Sequence, residues 1–207
     1  MTVPVLNSLI REATTALRGD KNGCLVLPLR KRLWAGLGPR MVGKKRAQDY
    51  TGWHRRVRLA VLCVEKTLPV WDKVQPANPL PREVLALIQA YQAKQVRPGV
   101  LLKRLQAAWR RMEVLGVETK SGVEVLVGSA SIRAGYVALG DEDFDSDASK
   151  AAELDQNRDP YDLDAGFYAA AAFSGDMYGG TEANVAKRRQ FWRWYLKNAV
   201  PIAWAVI

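Results

Sequence analysis

The amino-acid sequence predicts an all-α protein: a single compact domain of about eight helices packed around a central kinked helix, with an acidic loop near residues 140–160. Three observations lead there. Apolar residues recur at steps of three and four along most of the 207 residues, the spacing of one helix face. Proline and glycine fall between these periodic stretches, where helices begin and end. No convincing strand stands out, and an isolated pair of strands in an otherwise helical chain is marginal in water. With 48% apolar residues, the chain has enough to bury a core of its own. No repeat of fixed period suggests a solenoid.

The central helix is expected over Trp53–Val74. Trp53, Val57, Val61, Val64, Leu68 and Trp71 form one stripe, and the turn from Leu59 to Val64 is apolar on every side, as in a helix surrounded by others. Pro69 offers no N–H to the carbonyl of Glu65, so a kink is expected there.

The remaining elements follow in order. Val5, Leu6, Leu9, Ile10, Ala13 and Leu17 define a first helix that stops at Arg18-Gly19-Asp20. Pro28 opens a short second one, with Leu29, Leu33, Trp34 and Leu37 as its apolar side and Gly38-Pro39 as its end. After the central helix, Pro79 and Pro81 flank the start of a helix carrying Val84, Leu85, Ile88 and Tyr91. Pro98 starts another, with Leu101, Leu102, Leu105, Ala108, Trp109 and Met112 inward and Lys103, Arg104, Arg110 and Arg111 largely outward. These two are expected to form an antiparallel hairpin.

Gly122 to Leu139 is rich in Val and Ile with interior glycines, which suits strands, but its length and the repeat Val125, Ser129, Ile132, Tyr136 favour a tightly packed helix. Asp162-Leu-Asp164 then opens an alanine-rich helix, its acidic start matching a helix N-terminus. Thr181 is placed to cap the last helix, whose Val185, Phe191, Trp194, Tyr195 and Leu196 pack inward before Pro201 ends it.

The net charge of +10 conceals an uneven distribution. Residues 1–138 hold 24 Lys and Arg against 9 Asp and Glu, residues 139–165 hold 2 against 10, and residues 166–207 hold 5 against 2. A basic body is interrupted by one acidic segment. No stretch reads as the run of about 20 apolar residues that spans a bilayer. Arg11 and Glu12 interrupt the N-terminus where a signal peptide needs unbroken apolar residues, so a cytoplasmic protein without membrane attachment is expected. The two cysteines, Cys24 and Cys63, fit a reducing compartment.

The motifs argue against an enzyme. Gly38 to Lys45, GPRMVGKK, meets the phosphate-loop pattern until its last position, where Lys45 replaces the Ser or Thr that holds magnesium, and a helix precedes it instead of a strand. Asp141, Asp143, Asp145 and Asp147 alternate like the start of a calcium loop, but counted from Asp143, Ala148 stands where glycine is needed and Leu154 where a bidentate Glu is needed. His54 is the single histidine, neither cysteine has a partner at zinc-ligand spacing, and no nucleophile elbow occurs. No catalytic residue, metal site or cofactor is expected. Basic clusters at Arg30-Lys31-Arg32, Lys44-Lys45-Arg46, Arg55-Arg56, Arg110-Arg111 and Lys187-Arg188-Arg189 meet the charge criterion for nucleic-acid binding, but no reading motif accompanies them.

Three stretches carry a family resemblance: RVRLAVLCVEKTLPVWDKVQPANPLPREVL (Arg56 to Leu85), DPYDLDAGFYAAAAFSGD (Asp159 to Asp176) and KRRQFWRWYLKNAVPIAW (Lys187 to Trp204). Together they resemble the bacterial immunity proteins of polymorphic toxin systems, the family numbered five. The resemblance implies a small, non-catalytic helical protein, made in the cytoplasm alongside a toxin, that binds and neutralises that toxin. It names no contact residues and leaves the oligomeric state open. Because opposing fields speed encounter, the acidic residues Asp141, Glu142, Asp143, Asp145, Asp147, Asp162 and Asp164 are the expected toxin-binding patch. The alternative is a basic helical module that binds nucleic acid.

Overall fold

The computed structural model describes residues 3–39, 50–119, 122–141, 155, 159, 163–178 and 180–206. Their helices are α1 (Val3–Gly19), α2 (Leu27–Gly36), α3 (Thr51–Val74), α4 (Leu80–Gln92), α5 (Pro98–Glu118), α6 (Val123–Gly140), α7 (Ala165–Ser174), α8 (Glu182–Trp194) and α9 (Val200–Trp204). A π-helical turn, Tyr195–Ala199, joins the last two into one rod. The described residues contain no strand, as the sequence predicts.

The centre belongs to α6 rather than to α3. α6 is buried from Leu126 to Ala138 except for a half-exposed Tyr136, and it packs against α3, α4, α5 and α7. The turn Leu59–Val64 of α3 is buried all round as expected, but Glu65, Pro69 and Asp72 keep a later face in solvent, and the helix continues through Pro69 to Val74. The interior glycines of α6, which suit strands when read locally, are surfaces for close helix contact. A Cβ on Gly128 would lie 1.7 Å from Met112 Sδ, and one on Gly135 would lie 2.3 Å from Leu105 Cδ2. α5 therefore rests directly on the α6 backbone. By length and composition α6 also passes for a membrane span; its burial inside the bundle marks it as a core helix.

α7 is the second enclosed helix. The Asp164 side chain caps it by accepting from Phe167 N at 2.9 Å, and Gly175 ends it in the left-handed region at φ 83°. Its alanines bring α3, α6 and α8 close. At the start of α8, Thr181 Oγ1 accepts from Asn184 N while Asn184 Oδ1 accepts from Thr181 N, a reciprocal cap at the predicted residue.

Pro201 does not end the last helix, contrary to expectation. The π turn shifts the register so that Val200 N donates to the carbonyl of Tyr195, five residues back, and Pro201 falls in the first turn of α9, where no N–H is needed. The rod then continues to Trp204. Arg55 stacks on the Trp204 ring at 3.8 Å and donates to the carbonyls of Val206 and Leu37, fastening the C-terminus to α3 and to the end of α2.

Trp71 illustrates the packing. Its side chain is 0% exposed, and its indole N–H donates to the Asn78 carbonyl at 2.6 Å. Trp71→Ala is expected to cost about 3–5 kcal/mol, read as a lowered denaturant midpoint.

Candidate functional site

Two buried arginines organise the side of the molecule from which the acidic segment departs. Arg56, on α3, is held by Asp141 through Nε to Oδ1 at 2.7 Å and Nη2 to Oδ2 at 2.6 Å. Its remaining N–H groups donate to the carbonyls of Trp34 (3.1 Å), Gly38 (2.8 Å) and Pro39 (2.8 Å). Gly52 allows that approach, because a Cβ there would lie 2.5 Å from the Pro39 carbonyl oxygen. Asp141 itself closes α6 in the left-handed region at φ 57°.

Arg30, on α2, is the second. Nε and Nη2 donate to Asp164 Oδ2 at 3.0 and 2.6 Å, Nη1 donates to the Leu25 carbonyl and to Asp155, and Nη2 also pairs with Asp155. The guanidinium lies 5.7 Å from the Phe167 ring centre and 5.4 Å from that of Trp192. Burial works against its charge, but the facing Asp164 and Asp155 carboxylates outweigh burial and raise its pKa above the ordinary arginine value. Asp164 thus serves both Arg30 and the N-terminus of α7.

These contacts correct part of the expected toxin-binding patch. Asp141 is 0% exposed and Asp164 3% exposed, so neither is available to a partner; both are consumed by internal cations. Glu142, Asp143, Asp145, Asp147 and Asp162 lie outside the described residues. So does the acidic run compared with a calcium loop, apart from Asp141, and so do residues 40–45 of the phosphate-loop near-match. What is described of that near-match is unlike a phosphate cradle: the Gly38 and Pro39 carbonyls accept from a cation after a helix.

The described interior leaves little room for a substrate. A cavity of about 30 Å³ lies between Trp34, Arg56, Cys63, Asp141, Asp164 and Tyr195, room for one or two waters. Burial raises both the Cys63 thiol and the Tyr195 hydroxyl, which keeps them protonated. Tyr195 accepts from the Trp34 indole at 3.1 Å. His54 packs at 4.5 Å from the Trp53 ring, with Gln92 Nε2 at 3.4 Å from its Nδ1, and burial lowers its pKa. No group of three or more His, Cys, Asp or Glu among the described residues is arranged to hold a metal ion.

Sequence reasoning missed Arg30 and Arg56 as interior residues. Both stand on apolar faces at helical spacing, Arg30 between Leu27 and Trp34 and Arg56 between Trp53 and Ala60. A charge at such a position demands an opposite one.

Asp164→Ala removes a helix cap and leaves Arg30 with Asp155 alone among its carboxylates. It is expected to destabilise the fold by about 3–5 kcal/mol in denaturant melts. The lowered pKa of His54 has a definite sign: its contribution to stability is present above the unfolded value of about 6.5 and is lost as pH falls toward the folded value. Denaturant midpoints measured from pH 8 to pH 5 should therefore fall less steeply in His54→Gln than in the parent.

No curated protein matches the chain. The family model described as Immunity protein Imm5 matches residues 10–202, which takes in every helix from the middle of α1 to α9. A chain matched over that span belongs to the Imm5 immunity protein family.

Proposed function

We propose that this protein is a non-catalytic inhibitor that binds a cognate bacterial toxin in the cytoplasm of the producing cell and neutralises it through surface contact. Membership of the Imm5 family over residues 10–202 carries the reading. The arrangement of the interior supports it. The buried ion pairs of Arg30 with Asp164 and Arg56 with Asp141 are each engaged by carbonyls or capping bonds and serve the fold. What remains to act is the exterior. Glu142, Asp143, Asp145, Asp147 and Asp162 are proposed to hasten encounter with a basic patch on the toxin, in a segment attached to the body through Asp141, Asp155 and Asp164.

Co-expression tests the reading. A toxin domain encoded by the adjoining gene should arrest growth alone, be silenced by this protein, and co-elute with it on size exclusion; continued arrest without a complex rejects the proposal. Replacing Asp143, Asp145 and Asp147 together by Asn is expected to slow association while the thermal melt stays unchanged. Association as fast as the parent's removes those residues from the contact surface.

A further inference from the structure

The helical hairpin of α4 and α5 carries a surface that the fold does not use. Between Val84 and Glu118 the chain holds six basic residues, Lys94, Arg97, Lys103, Arg104, Arg110 and Arg111, against two acids near the end of α5, Glu113 and Glu118. All of them are exposed. The acids at the hairpin base are already occupied, Glu83 with Arg111 at 3.0 Å and Asp72 with Arg82 at 2.7 Å. Among the described residues, no carboxylate pairs with Lys94, Arg97, Lys103, Arg104 or Arg110.

The spacing on α5 gives this charge a shape. Val100, Ala107 and Val114 are seven residues apart, so they form one row along the outer face of the helix, and all are exposed. Lys103 and Arg110 border the row at the i+3 positions, and Arg104 and Arg111 border it at i+4. Val117, 89% exposed, extends the face toward the C-terminal end. The row from Val100 to Val114 is roughly 21 Å long at helical rise. Beside it, between α5, α6 and α7, a groove of about 250 Å³ has a mostly apolar lining that includes Trp109, Met112, Val125, Tyr168 and Met177, with the carboxylate Glu113 on its wall. That is below the usual size of a small-ligand pocket and suits one large side chain from a protein partner.

We propose that the outer face of α5 is a docking surface for the toxin, and that the toxin meets it with an apolar ridge bordered by Asp and Glu. This rests on the inhibitor reading. An apolar row between two basic rows matches an acidic protein surface better than a nucleic acid. Phosphates offer nothing to Val100, Ala107 and Val114, and single strands call for exposed aromatic faces among the charges, whereas the aromatic residue of α5, Trp109, lines the groove. It also accounts for a basic body in a toxin inhibitor: the charge that the fold leaves unmatched is the charge offered to the partner.

The test uses the full chain and the toxin domain encoded by the adjoining gene. The triple reversal Lys103→Glu, Arg104→Glu, Arg110→Glu is compared with an equal reversal on the exposed side of α8 and the π turn that follows it, Lys187→Glu, Arg193→Glu, Lys197→Glu. Association rates are read at low and moderate salt, with circular-dichroism melts to confirm folding. The α5 reversal is expected to slow association about tenfold or more at low salt and to flatten its salt dependence, while the α8 reversal changes it by less than about twofold. Val114→Asp, which disturbs no charge pair, is expected to speed dissociation. Equal slowing by both reversals, or none from the α5 set, overturns the docking face while leaving the inhibitor reading intact. A parent protein that does not bind the toxin at all overturns both. Loss of binding to a labelled duplex or single-stranded oligonucleotide on α5 reversal, with toxin binding retained, assigns the face to nucleic acid and likewise overturns the proposal.

Discussion

The structure depends on two guanidinium groups, those of Arg30 and Arg56, taken out of water and met there by carboxylates and carbonyls. Arg30 and Arg56 are 1% and 4% exposed, and each collects carboxylate oxygens and backbone carbonyls from parts of the chain far apart in sequence. Desolvating such a pair costs several kcal/mol per ion, so the pair is poor as a source of net stability and strong as a constraint on arrangement, since removing one partner leaves the other uncompensated. Arg56 fixes the end of α6 and the Gly38-Pro39 turn against α3. Arg30 fixes Asp155 and the start of α7 against α2. The acidic segment is thereby attached to the body at its beginning, inside its length and at its end.

Around these anchors the packing is set by small residues. α6 and α7 occupy the interior because glycine, alanine and serine let neighbouring helices approach their backbones, at Gly128 and Gly135 to within direct contact of Met112 and Leu105. α7 carries alanines at 169–172, all buried. Close approach of this kind replaces large side chains with backbone contact, which is why the most enclosed helix is not the one richest in Leu and Trp.

Most of the architecture was legible in the sequence because it was written in periodicity. The stripes of α3, α4 and α5, the Thr181 cap and the helical state of residues 123–140 all follow from local spacing. The identity of the central helix was not, since a stripe shows which face is buried but not how many neighbours share it. The π turn also escaped: proline ends a helix under α-helical bonding, and only the shift to five-residue bonding across Tyr195–Ala199 lets the rod pass Pro201. At the candidate site, counting carboxylates by charge could not show that Asp141 and Asp164 are drawn inward by arginines more than 80 residues away. The sign that was readable, an arginine on an apolar stripe, lay on the partner helices.

The outer side of α5 has a different kind of freedom. Its inner side seats on α4 and α6, and nothing in the described fold leans on the other. Apart from Arg111, which pairs with Glu83 on α4, residues there carry little architectural duty, so they are able to drift at little thermodynamic penalty. A lineage facing a diversifying adversary would find its raw material for new specificities on this helix, with the scaffold left undisturbed.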